Sequence, residues 1–282
     1  MLSRAALALA AAVALAAVPA AARPDPAVKV TRAVTYATAG GETLQLDVAT
    51  PATVGPHPAV VLFHGGAWRF GTRAQLSWVI EALAAKGYVA ASASYRLAPK
   101  HLLPDQLHDV RSAVRFVRAN AKTYGADPDK FAVGGFSAGA HLAMLAAFDP
   151  PAGQPLGARC VVDFFGPTDL TLYSKDPDLE DAFMVPFLGK ACKTDPEVYR
   201  RASPVAFAAK GVPPVLLVHG TADLIVPIVH SEKLHEKLVA AGAEAELVRV
   251  PGNGHGPWRA EQAAAGMTAT VRFLDRHLKG MR

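Results

Sequence analysis

Cysteine is nearly missing from this chain: its 282 residues include only Cys160 and Cys192. That excludes a small domain stapled by several disulfides, and neither thiol has the spacing of a zinc site, so no metal is expected. Charge is also sparse, at 19% of residues, and the net charge of +5 is not gathered into a basic run interleaved with aromatics. Lys86, Arg111, Arg115, Arg118, Lys122 and Lys130 are interspersed with carboxylates, as on a solvated helical surface. Nucleic acid is therefore not an expected partner. Beyond residue 22 there is no internal repeat or low-complexity linker, so a single domain is expected.

One long apolar run exists, and it is N-terminal. Met1-Leu-Ser-Arg4, an alanine- and leucine-rich stretch to Val18, then Pro19 and Ala20-Ala-Ala22 read as a secretory signal cleaved near Ala22. The run is too short for an ordinary membrane-spanning helix, so no integral membrane association is expected. Residues 23–282 would then form one domain in a periplasm or outside the cell. In such an oxidising compartment Cys160 and Cys192 either pair, pinning a cap to the sheet, or stay separate thiols. Sequence leaves both open, and it sets no oligomeric state.

What the chain does have is chemistry at spaced loops. Lys130 to Ala143 reads as a buried strand, a Gly-x-Ser-x-Gly turn (Gly135-Phe-Ser137-Ala-Gly139) and a helix. A serine on so tight a turn needs small neighbours, because a side chain at 135 or 139 would collide with the adjoining strand or helix. Taken alone, the pentapeptide also fits a glycine-rich turn that merely holds a serine. A serine hydroxyl is a weak nucleophile, so it needs a base, an acid to orient that base, and donors for an oxyanion. His255, in the loop Gly252-Asn-Gly-His255-Gly, is the candidate base. Asp223, ending the apolar strand Val215 to Val218 and the loop His219-Gly-Thr-Ala-Asp223, is the candidate acid. Upstream, the apolar run Pro58 to Phe63 ends in His64-Gly65-Gly66-Ala67-Trp68. The N–H groups of Gly65 and Gly66, with that of Ala138 after the serine, are the candidate oxyanion donors. Asp169, after another strand, rivals Asp223 as the acid. His141, just past the elbow, is expected to hydrogen-bond in the core, Asp109 to brace the Tyr95-Arg96 loop, and His219 to fix backbone.

These pieces, with Tyr95-Arg-Leu-Ala-Pro99, Phe164-Phe-Gly-Pro-Thr-Asp-Leu170 and Ala202-Ser-Pro-Val205, follow one another along nearly all of the chain past residue 22. In that order the sequence resembles the α/β-hydrolase superfamily, and within it the acetyl/feruloyl-esterase-like and hormone-sensitive-lipase-like carboxylesterases. Ala67 and Phe136 depart from the His-Gly-Gly-Gly and Gly-Asp-Ser-Ala-Gly of the lipase branch, which tilts the resemblance toward the first. It implies a secreted serine carboxylesterase that hydrolyses short acyl esters, acetyl or feruloyl groups on carbohydrate among them, through an acyl-enzyme and without a cofactor. An arylformamidase-like amidase shares the His-Gly-Gly-x-Trp loop and is the alternative enzyme. A non-catalytic binding protein on the same scaffold is the alternative outside enzymology.

Apolar runs alternating with helical periodicity predict a mostly parallel sheet of about eight strands with helices on both faces. Strands are expected near 30–36, 43–48, 59–63, 89–94, 131–134, 161–165, 215–218 and 245–250, the first two as an antiparallel ribbon. Helices are expected near 72–86, 105–120, 138–147, 228–241 and 258–279. The rhythm breaks at about 170–203, where Pro177, Pro186 and Pro196 mix with large apolar residues. A short cap is expected there, with Phe183, Met184 and Phe187 lining a substrate pocket opposite Trp68, or else forming the cap's own small core.

Overall fold

A computed structural model describes residues 27–256, 258 and 260–281; the expected secretory leader lies outside them. Eight strands form one sheet: β1 (Val28–Ala39), β2 (Glu42–Pro51), β3 (His57–Phe63), β4 (Val89–Ala93), β5 (Ala126–Phe136), β6 (Cys160–Phe164), β7 (Val215–Gly220) and β8 (Ala245–Val250). Their order is β1-β2-β4-β3-β5-β6-β7-β8. β1 pairs with β2 and β2 with β4 antiparallel; every later pairing is parallel. This is the mostly parallel sheet that the sequence pattern predicts and the α/β-hydrolase architecture that the resemblance implies.

The central strands are apolar on both faces because both are covered. Val60 and Leu62 on β3 and Val162 on β6 pack against Val79, Ile80 and Leu83 of α1 (Ser77–Ala84) and against Phe273 and Leu274. Val61 and Phe63, on the other face, pack with Val110, Val114 and Val117 of α2 (Asp105–Ala119) and with α3 (Ala138–Phe148). α4 (Val229–Ala240) adds Leu234 and Leu238 to the same cluster. α5 (Ala260–Leu274) runs into a wider π turn, Asp275–Lys279. Period-two alternation thus feeds two cores, one per face.

One expectation changes, and two open points are filled in. Arg111 is not on a solvated surface: it is buried in α2 and donates to the Asp149 carbonyl at the C-terminal end of α3. Cys160 and Cys192 are separate thiols, the first buried in β6 and the second half-buried beyond it. The 170–203 segment holds a turn at Leu170–Lys175, one helical run over 177–188 whose middle, Glu180–Met184, widens to a π turn, and a short helix at Pro196–Arg201. Pro177 and Pro196 open their helices, where the missing N–H costs nothing, whereas Pro186 directly follows the π turn Glu180–Met184 in a helical run that continues through it.

Candidate active site

The parallel strands end together at one edge, and the loops leaving β3, β5, β7 and β8 meet there. The elbow forms because two positions admit no side chain. A Cβ at Gly135 would lie 2.6 Å from the Phe63 carbonyl oxygen, and one at Gly139 only 2.2 Å from it. Strand β5 and helix α3 therefore close onto β3 through bare backbone. Ser137, between them, is held at φ +52°, a conformation that L residues rarely adopt. Its N–H donates to the Phe164 carbonyl at 2.8 Å, and its hydroxyl faces the loops.

His255 Nε2 stands 2.9 Å from Ser137 Oγ, and its Nδ1 stands 2.7 Å from Asp223 Oδ2. All three residues are buried. The loops that bring them together are pinned to each other: Ala222 donates its N–H to the Asn253 carbonyl, and Thr221 to that of Val250. Burial pushes the Asp223 carboxyl upward, but hydrogen bonds from His219, His255 and the Val226 N–H outweigh it and hold the group well below the usual carboxylate range. Oδ1 accepts the N–H groups of Ile225 and Val226, each at 2.9 Å. Such an arrangement can orient an imidazole, fix its tautomer and let the far nitrogen take a hydroxyl proton. The Phe165 ring lies edge-on to the imidazole with centroids 4.8 Å apart.

Asp169 is not the acid partner: it caps the turn after β6, accepting from the Thr171 N–H and hydroxyl, and pairs with Lys233 at 3.4 Å. His141 lies in the core, where burial lowers its pKa to about 4. It stays neutral, donating Nε2–H to the Ala202 carbonyl at 2.7 Å and accepting the Trp68 indole N–H at 3.2 Å. Asp109 braces the Tyr95-Arg96 loop with two oxygens, each 2.8 Å from an Arg96 nitrogen. His219 does hold backbone, through the Val226 carbonyl at 2.7 Å.

A pocket of about 30 Å³ free volume opens at Ser137 and His255. Its walls include Gly66, Ala67 and Trp68 from the β3 loop, Ala138, and Phe183 and Met184 from the irregular segment. Sequence reasoning missed Ala67, Tyr173, Ile225 and Val226, which also line it. The last two carried a signal, lying two and three residues after Asp223. Gly65 is not a lining residue: a Cβ there would sit 3.2 Å from that of Ser137, so this glycine serves close packing against the elbow. Gly66 and Ala67 do line the pocket, both at positive φ, and neither their N–H groups nor that of Ala138 donate to another backbone carbonyl among the described residues. Phe187 is also displaced from the expected pocket. It is fully buried behind the wall, stacked on Trp68 at 4.2 Å and 10° and edge-on to His141 at 5.8 Å. The carbonyls of Phe187 and Ala182 accept from the Leu103 N–H and the Arg69 guanidinium, tying this segment to the neighbouring loops.

Among the described residues no cluster of His, Cys, Asp and Glu could hold a metal ion, and no helix is long and apolar enough to cross a membrane. Comparison with known proteins agrees with the geometry. Over 230 residues the chain is 35% identical to the esterase LipC of Mycobacterium tuberculosis, covering 76% of this chain and 56% of LipC. It is 30% identical to the esterase LipQ of the same organism, over 85% of this chain and 58% of LipQ. The chain thus spans little more than half the length of these two relatives. In structure it resembles a truncated carbohydrate esterase from gut microbiota, with a TM-score of 0.80, 26% identity and coverage of 89% and 96%. It also resembles the butyrate-bound Est2 esterase of Thermogutta terrifontis, with a TM-score of 0.71, 28% identity and coverage of 90% and 94%. The BD-FAE profile matches residues 46–238, more than half of the sequence, on the fold and loop order described above, and so the chain belongs to the BD-FAE family.

Proposed function

We propose that this protein is an exported serine carboxylesterase that cleaves short acyl esters, acetyl groups on carbohydrate foremost. The contiguous Ser137–His255–Asp223 chain, with contacts of 2.9 and 2.7 Å opening on a narrow apolar pocket, carries this reading. His255 takes the Ser137 proton through Nε2 as Oγ attacks the ester carbonyl, while Asp223 holds Nδ1–H and stabilises the imidazolium. The N–H groups of Gly66, Ala67 and Ala138 receive the oxyanion. The alcohol leaves with the proton from His255, and water activated by the same base then cleaves the acyl-serine. Every step uses residues of this chain, so no cofactor is invoked. An intact triad favours an enzyme over a binding protein on a hydrolase scaffold.

Pocket size supports a short acyl group. About 30 Å³ accommodates roughly two waters, which suits acetyl or propionyl better than feruloyl. Solved structures of the Thermogutta esterase hold butyrate and propionate, and the gut microbial neighbour is a carbohydrate esterase. The N-terminal leader motivates export to a periplasm or beyond. The test is a panel of p-nitrophenyl esters from acetate to longer chains, acetylated xylan, methyl ferulate and N-formylkynurenine, alongside fluorophosphonate labelling of Ser137. Acetyl substrates should lead; a preference for N-formylkynurenine would assign the amidase instead, and absence of both labelling and turnover would end the enzyme reading.

One residue of the pocket wall and one behind it separate wall from support. Met184→Ala should enlarge the pocket and raise the rate on p-nitrophenyl hexanoate relative to acetate by about 10-fold, the scale of one or two methylenes in an apolar site. Phe187→Ala, behind the wall, should instead lower both rates together and reduce stability by about 3–5 kcal/mol. Parallel kinetics and thermal melts of the two variants check the distinction.

A further inference from the structure

His219 is fully buried at the end of β7, where the acid loop, β6 and α4 meet. Its Nε2 lies 2.7 Å from the Val226 carbonyl, a pure acceptor, so this nitrogen carries a proton. The same nitrogen is 3.3 Å from Asp223 Oδ2, the oxygen that receives His255. Nδ1 stands 2.7 Å from the Ser231 hydroxyl on α4, which fixes the ring's orientation. Val226 in turn donates its own N–H to Asp223 Oδ1 and, with Ile225, walls the pocket. One N–H group therefore touches both the far end of the acid loop and the acid's working oxygen.

We propose that His219 is a positioning residue whose Nε2–H, shared between Val226 and Asp223, sets the orientation of the acid and the shape of the pocket wall together. The proposal rests on the serine-esterase reading above. The ionisable groups around His219 are Asp223 on its own loop, Asp163 on β6, His230 on α4, and His255 reached through Asp223. The Phe165 ring completes the enclosure at 6.5 Å. Donation to Oδ2 draws carboxylate charge away from His255. Without it, Oδ1 stays held by two N–H groups, and the more concentrated charge on the acid binds the imidazolium proton more tightly. The acid limb of kcat/KM then moves to higher pH.

The experiment compares His219→Asn with His219→Gln. Asparagine keeps an amide for Ser231 but stops short of Asp223 and Val226, whereas the glutamine nitrogen reaches the place of Nε2. H219N should lower kcat about 10- to 100-fold, the cost of misplacing a catalytic group by an ångström or less. It should raise the acid limb by about 0.5–1 pH unit, the scale of one shared charge-assisted hydrogen bond, and blur the preference for acetate over butyrate. H219Q should recover most of all three effects. A folded H219N with the wild-type limb, or a loss of rate that glutamine does not rescue, would overturn the proposal and leave His219 as ordinary packing. Nitrogen-15 histidine spectra of the wild-type protein need no variant: the His219 Nε2–H resonance should shift as His255 is protonated, and an indifferent resonance would overturn the proposal as well. A wild-type protein that neither labels at Ser137 nor hydrolyses any ester would refute the esterase reading itself. Active enzyme with an unmoved limb in H219N refutes only the role of His219.

Discussion

Ser137→Ala is expected to lower kcat on p-nitrophenyl acetate by about 10⁴- to 10⁶-fold, with roughly 10³-fold over water surviving from the oxyanion donors and binding. The fold should be untouched, because alanine keeps the Cβ and the N–H bond to Phe164. A companion variant reads out the strain of the elbow. At φ +52° both serine and alanine pay a steric penalty that glycine does not, and such positions store about 1–3 kcal/mol. Ser137→Gly should therefore be as inactive as the alanine variant yet melt at a higher temperature. Steady-state kinetics with calorimetry on both variants check this; equal melting temperatures would show that the elbow is relaxed, and a wild-type rate in either would remove Ser137 as nucleophile.

The second large effect is expected at the acid. Asp223→Asn presents an N–H₂ to the nitrogen of His255 that must itself donate, so the imidazole adopts the tautomer with its proton on Nε2, facing Ser137. It then cannot accept the serine proton, and kcat should fall by about 10⁴-fold with KM little changed. Stability should drop as well, by about 1–3 kcal/mol, because an amide nitrogen now meets the buried N–H of His219. The wild-type carboxyl has its pKa depressed in the folded state. Its contribution to stability is fully present above the unfolded carboxylate value and is lost only as pH falls below about 4 toward the folded value. Urea melts of wild type and variant from pH 3 to 7 check the linkage: the stability gap between them should be constant above about pH 5 and should close as acid protonates Asp223.

Much of the catalytic edge is legible along the chain because each piece is local. Gly135 and Gly139 flank Ser137 on a tight strand-to-helix turn that five residues spell out, although the backbone that excludes a side chain at both positions is that of β3. The apolar runs into His64, Ser137 and Asp223 each mark a strand end, and parallel strands deliver their C-terminal loops to a common edge. Among the described residues the eight strands and five main helices follow from period and punctuation in the same way. Where side chains from distant segments compete for one place, the pattern is silent. Phe183, Met184 and Phe187 share a short apolar stretch, yet the third stacks on Trp68 behind the wall rather than lining the pocket. Gly65 and Gly66 look alike in sequence, and only the approach of the elbow shows which of them packs and which lines the site.

Residue order alone marks the candidate nucleophile and base, the loop order and the sheet, because these follow from local motifs and hydrophobic period. The choice of Asp223 over Asp169, the separation of the two thiols, the burial of Arg111 and the tie between His219 and the acid are decided by packing across β6, β7 and α4. Those are contacts between atoms far apart in the chain, and their free energies depend on distances that no local pattern encodes.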